Sequence, residues 1–394
     1  MTGAGMTRSP TTIVVALGTT QTLAWASSFY LPAILGAPIA AALGIAPSVF
    51  FGVFSGALLL SGSLAPLVGR IIDRHGGRVV LAGSNVVIGT GLAMLGLCQG
   101  VPSLVAAWAV IGIGTAMGLY DPAFAALTRL YGLGARSSIT GITLIAGFAS
   151  TIGWPLSAWW LHDFGWRETC LIWAVINLVI AMPLNWWILP PASQHPPLAK
   201  KALDEPDVES PPGAMLILAF FFSATRFVSG ALSAHLPGLL EGTGTSEVAA
   251  ISAAALVGPA QVAARLVEFG LLRNFHPLVS AKAAVLLHPL GAAFMAVLGP
   301  IAIVPFALLH GAGNGMLTIA KGTLPLALFG PIGYGRRTGI LTVPTRIAES
   351  SAPFLFGLLI GRIGTGAIAV TAGICLAAFG SLWLLRLRAV AEPA

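Results

Sequence analysis

Charge is what this chain of 394 residues has least of. Asp, Glu, Lys and Arg together make up 8% of it, against about 25% in an ordinary soluble domain. Hydrophobic residues make up 56%, and the mean hydropathy is +0.90. A soluble fold has too few polar residues here to cover so much apolar surface, which excludes that class. Cysteine is also scarce. Cys98, Cys170 and Cys375 lie far apart in apolar runs, which excludes a disulfide framework and a cysteine metal centre. The sequence carries no nucleophile elbow, phosphate loop or metal-ligand pattern. An enzyme is therefore not expected, and neither is a cofactor or a metal. Glycine (48) and proline (27), by contrast, are plentiful, and transmembrane helices tolerate both.

A helical crossing needs about 20 apolar residues. Twelve such runs can be read, at about 12–34, 46–68, 79–98, 102–128, 138–161, 168–190, 214–238, 247–267, 278–298, 301–328, 338–360 and 366–386. The first continues to about Leu35 with no clear cleavage site, so it is expected to be a span and not a signal peptide. The longest polar stretch, "PASQHPPLAKKALDEPDVESPPG" at 191–213, reads as a linker. The expected fold is thus an all-α membrane protein of twelve transmembrane helices. Its two six-helix bundles would occupy residues 1–190 and 214–394.

The formal charge of +7 is mainly a topology signal. Arg8, Arg70, Arg74, Arg78, Arg129, Arg136, Lys200, Lys201, Arg265, Arg273, Lys282, Arg336, Arg337, Arg386 and Arg388 fall on the side of the N-terminus. Only Arg167 and Arg362 fall on the other. The excess of basic residues in cytoplasmic loops then puts both termini and the linker in the cytoplasm, with the chain in the inner membrane. Basic residues spread over short loops make no nucleic-acid footprint.

The two halves repeat. "YLPAIL" (Tyr30 to Leu35) answers "HLPGLL" (His235 to Leu240), and "GRIID" (Gly69 to Asp73) answers "ARLVE" (Ala264 to Glu268). Gly112, Gly114 and Met117 answer Gly311, Gly313 and Met316. "TGI" recurs at Thr140 and Thr338, with Pro155 and Pro353 in step. Order and a nearly constant offset mark two parallel six-helix halves, an arrangement known among transporters.

The stretch "GRIIDRHGGR" resembles the signature loop of the major facilitator superfamily in Gly69, Asp73, Arg74, Gly76 and Arg78, with Gly77 replacing one basic residue. "GWR" (Gly165 to Arg167) is similar to that family as well, and the resemblance runs along the whole chain. It implies a secondary transporter working by alternating access. In it Asp73, flanked by Arg74 and Arg78, would act as a cytoplasmic latch, and Glu268 would do so more weakly. Two departures exist. Trp108 stands where many proton-coupled members carry Arg, and "GFASTIGWPLSAWW" lacks the paired-glycine pattern common in antiporters.

Five charges lie inside spans: Asp121, Arg226, Lys321, Arg346 and Glu349. A membrane-embedded charge costs about 2.5–3.5 kcal/mol or more at a helix centre, so each marks a candidate site. At 1.5 Å per residue, Arg226 and Glu349 fall near the midplane. Arg346 lies one turn from Glu349. Asp121 and Lys321 fall toward the cytoplasmic mouth, where they read as a gate pair beside the helix-weakening Pro122. Arg226 is expected to contact substrate. Gln21, Trp25, Tyr30, Asn314 and His310 are further substrate-binding candidates, and Glu349 with Arg346 is the candidate coupling group. The excess of cations favours a small organic anion such as a carboxylate. Coupling to protons would run through Glu349, and a monomer in the lipid bilayer is expected. Efflux of amphipathic or drug-like compounds is the alternative within transport. A membrane-embedded enzyme and a non-transporting receptor are the alternatives from other classes.

Overall fold

The computed structural model describes residues 9–191 and 213–385. Most of the linker, together with Arg8, Lys200, Lys201, Arg386 and Arg388, lies outside them. The described residues are helical nearly throughout and contain no strand. The first ten helices are α1 (Pro10–Ser27), α2 (Pro32–Ala42), α3 (Pro47–His75), α4 (Arg78–Gly96), α5 (Val101–Gly118), α6 (Tyr120–Tyr131), α7 (Ala135–Ala146), α8 (Ala149–Phe164), α9 (Trp166–Ile176) and α10 (Met182–Ile188). After the linker come α11 (Ala214–Glu241), α12 (Glu247–Ala255), α13 (Val257–Gly270), α14 (Pro277–Leu298), α15 (Ile303–Phe329), α16 (Tyr334–Ile363) and α17 (Ala367–Ser381). Among the described residues, nine helical stretches are long and apolar enough to cross a membrane. Three of these, Val101–Phe164, Pro277–Phe329 and Tyr334–Leu384, exceed 50 residues.

The chain divides into two compact units. One takes Met1–Glu205 with Pro331–Val343, the other Pro206–Gly330 with Pro344–Ala394. The start of α16, which the sequence repeat assigns to the second half, thus groups with the first unit.

Several sequence runs expected as single helices are broken. The run at 12–34 becomes α1 and α2, and the second of these continues to Ala42. The run at 102–128 breaks at Leu119, whose backbone is extended (φ −83°, ψ −162°). Proline chemistry accounts for that break. Pro122 has no N–H to donate to Gly118, four residues earlier. The side chain of Gln21 supplies the missing donor, with Nε2 2.6 Å from the Gly118 carbonyl. Asp121 falls in the first turn of α6, where the partial positive charge of a helix N-terminus favours a carboxylate.

The first unit also contains a buried polar chain. Thr20 Oγ1 donates to Asn185 Oδ1 (3.0 Å), Asn185 to Asn85 Oδ1 (2.8 Å), Asn85 to Asn177 Oδ1 (3.2 Å) and Asn177 to Ser27 Oγ (2.9 Å). It ties α1, α4 and α10 together around the π-helical segment Asn177–Ala181. Fully satisfied amides of this kind are tolerated among apolar helices because each leaves water for another partner.

Candidate functional site

In the first unit the signature loop is built on a close helix crossing. Asp73 Oδ1 accepts the Gly335 N–H and Oδ2 accepts the Arg336 N–H, both at 2.9 Å. One carboxylate thus takes two of the amides that the first turn of α16 leaves unpaired. The Arg129 guanidinium donates to the carbonyls of Asp73 and Arg74. A Cβ on Gly69 would strike the Gly335 carbonyl, and one on Gly339 would meet Ala65 O, so α3 and α16 touch backbone to backbone. Gly76 ends α3 at φ +81°, a left-handed conformation that a side chain would strain. Arg78 lies 4.5 Å from the centre of the Trp186 ring.

The crossing gives a direct test. Gly69→Val forces a branched side chain onto the Gly335 carbonyl, and overpacking of this kind costs about 1–3 kcal/mol. The variant is expected to melt at a lower temperature than the wild type in detergent. Gly83→Ala, whose Cβ would meet only the tip of Met117 at 3.6 Å, should melt within error of the wild type. Equal melting of all three proteins would refute the close crossing.

Asp121 Oδ2 accepts a hydrogen bond from Thr342 Oγ1 at 2.9 Å, within the same unit. Its chain neighbour Tyr120 belongs to an aromatic cluster. Trp25 packs at 4.9 Å from Tyr120, 5.1 Å from Phe29 and 6.0 Å from Tyr30. Tyr30 in turn lies 5.7 Å from Trp154. Trp108 joins through Phe54 at 5.0 Å. Gln21 and Trp25 are both buried, and Gln21 Oε1 and Trp25 Nε1 have no hydrogen-bond partner there.

In the second unit, Arg346 Nη1 donates to Glu349 Oε2 at 2.8 Å, one helical turn apart on α16. Arg226 Nη1, on α11, lies 3.6 Å from Glu349 Oε1, beyond hydrogen-bonding length. The carboxylate therefore belongs chiefly to Arg346, while the Arg226 fork keeps its donors. Gly230 makes this approach of α11 to α16 feasible, since a Cβ there would lie 2.9 Å from the Glu349 carbonyl oxygen.

Arg226 lines a pocket with Phe222, Thr225 and Ser229 of α11 and with Asn314, Leu317, Thr318 and Lys321 of α15. Its volume is about 10 Å³, room for a single water. Ser229 Oγ donates to Asn314 Oδ1 at 2.8 Å.

The structure places the other sequence candidates as follows. Lys321 joins the Arg226 pocket. His310 is buried elsewhere, 5.1 Å from His288 and stacked at 6.3 Å on Phe306, and it is not among the residues lining that pocket. His288 bonds to Thr371 Oγ1 at 3.0 Å. Glu268 is buried on α13 beside Arg265, whose Nε donates to the Gly315 carbonyl at 3.4 Å.

Sequence reasoning missed Thr342, the amides of Gly335 and Arg336, and most of the pocket lining. The pocket was findable. Residues 222, 225, 226 and 229, like 314, 317, 318 and 321, follow the i, i+3, i+4, i+7 spacing of one helix face. Any seam drawn through Arg226 would have collected its neighbours.

Apolar helices of this length, with ion pairs buried among them, define a multi-pass integral membrane protein. A family model of the Major Facilitator Superfamily matches residues 17–331. The chain belongs to that superfamily, and it is a transporter and not an enzyme. Over 366 residues, 86% of each chain, it is 26% identical to the 3-(3-hydroxy-phenyl)propionate transporter of Escherichia coli (strain K12). The human organic anion transporter MFSD10 (TETRAN) shares the fold with a TM-score of 0.74 at 16% identity, over 95% of this chain and 100% of that one. The proton:xylose symporter XylE, bound to 6-bromo-6-deoxy-D-glucose, shares it with a TM-score of 0.72 at 14% identity, over 95% of both.

Proposed function

We propose that this transporter moves a small organic anion carrying a carboxylate across the cytoplasmic membrane by alternating access, anchoring the carboxylate on Arg226. The observation that carries this reading is the unequal sharing of Glu349. Arg346 holds it at 2.8 Å and Arg226 stands off at 3.6 Å. With Lys321 of the same pocket, these groups sum to two positive charges (three cations, one carboxylate). A substrate carboxylate entering beside Arg226 offsets part of that excess through the forked donor geometry arginine offers. Thr225, Ser229, Asn314 and Thr318 provide hydroxyl and amide partners in the same pocket. Glu349 is the proton-coupling group in this reading, Lys321 adds a cation to the Arg226 pocket, and Asp73 and Asp121 act at the gate.

Aromatic carboxylates are favoured within the class. The Escherichia coli relative carries such a compound by its name. Twelve crossings in two halves, with both termini cytoplasmic, complete the reading. It is supported by the three stretches of over 50 residues, each long enough for two crossings.

Counterflow into liposomes tests the substrate class. The panel is 3-phenylpropionate, 3-(3-hydroxyphenyl)propionate, a short aliphatic carboxylate, xylose and a cationic dye. Saturable flux is expected for the aryl carboxylates first. Flux of xylose or the dye with none for any carboxylate would overturn the proposal, the dye result favouring efflux of amphipathic compounds.

A further inference from the structure

The signature loop carries more positive charge than its latch contact uses. Arg70, Arg74 and Arg336 line one open pocket of about 360 Å³ together with Asp73 and Gly333. Both oxygens of Asp73 are occupied by the Gly335 and Arg336 amides. None of the three guanidinia is within salt-bridge distance of a carboxylate among the described residues. The four charged groups of the pocket sum to +2 (three cations, one anion). Anchoring a loop by charge requires no concave site. Here three arginines line one cavity with room for an anion.

Depth narrows the anion's source. Helix α3 has 29 residues, which is about 44 Å at 1.5 Å per residue, against a hydrocarbon core of about 30 Å. Arg70 and Arg74 lie in its last turns. Those turns reach the headgroup layer, where lipid phosphates are concentrated. Arginine is suited to phosphate because its planar donors match two oxygens at once, and basic pockets at this level bind acidic headgroups.

We propose that Arg70, Arg74 and Arg336 form a phosphate-binding site, occupied by the headgroup of an anionic phospholipid. Arg70 and Arg74 end α3 and Arg336 begins α16, so the phosphate spans the same two helices as Asp73. It adds a second tie across their crossing and dilutes the mutual repulsion of the arginines.

The test uses the full chain in a neutral detergent. Melting temperature is followed with added phosphatidylglycerol, with phosphatidylcholine at equal concentration, and with inorganic phosphate at millimolar concentration. A rise of several degrees is expected with phosphatidylglycerol alone, and it should fall to the phosphatidylcholine level in Arg70→Gln/Arg336→Gln. Inorganic phosphate acting alone would keep the site and replace the lipid as its source. Equal effects of the two lipids, or an undiminished rise in the double variant, would overturn the proposal. Should the double variant misfold, native mass spectrometry of the unmodified chain decides. Retention of phosphatidylglycerol over phosphatidylcholine under collisional activation supports the site, and equal loss of both rejects it.

Discussion

Arg226→Ala is expected to abolish saturable uptake of organic anions and to leave the protein folded. The two halves of that expectation have separate physical origins. A hydrogen bond to a charged group contributes about 1.5–3 kcal/mol, and the guanidinium offers a carboxylate two of them at once. Each 1.4 kcal/mol is about tenfold in affinity, so loss of the fork should weaken binding by about 100-fold or more. Folding is spared because Glu349 keeps its 2.8 Å bond to Arg346. No buried carboxylate is abandoned when Arg226 goes. Arg226→Lys keeps the charge without the fork and should fall between the two. Counterflow kinetics and thermal unfolding of the three proteins check this. Unchanged substrate affinity in Arg226→Ala would remove Arg226 from the binding site.

Glu349→Gln is expected to do the reverse. It should uncouple transport from the proton gradient while substrate exchange continues. Glu349 is the carboxylate within reach of both Arg346 and Arg226. Glutamine fixes it in a neutral form that cannot alternate. The variant also leaves two cations facing each other without their shared anion. Breaking a buried pair from one side typically destabilises by about 3–5 kcal/mol, so a lower melting temperature should accompany the uncoupling. In proteoliposomes, an imposed pH gradient should drive accumulation by the wild type and none by the variant, with exchange measurable in both. Unaltered pH dependence would reject Glu349 as the carrier.

The contrast between these variants rests on distances no sequence could rank. Arg346 and Glu349 are one turn apart on a helix, so their contact was legible from spacing alone. Arg226 lies more than 120 positions away in the chain. Its place opposite Glu349 could be anticipated from depth and the repeat, but not whether it or Arg346 held the closer bond. His310 shows the opposite outcome. A histidine on an apolar span suggested a cavity residue, yet it lies against His288 of α14 and Phe306 of its own helix.

Composition and pattern were enough to mark a helical membrane protein, and the signature loop to mark the major facilitator type. Scarcity of charge, apolar runs and an internal repeat are properties of the chain that no packing can change. The residues that carry embedded charge are equally legible, because each such residue is conspicuous in lipid. Which group satisfies which depends instead on how the helices pack. Pro122 dictates a lost donor, but that Gln21 supplies its replacement depends on α1 lying beside Gly118. Asp73 was recognisable from its loop, but its use of the Gly335 and Arg336 amides depends on glycines letting two backbones meet. The physical reason is common to both. An unsatisfied polar group can be read from one segment, whereas its partner is whatever the fold brings within about 3 Å.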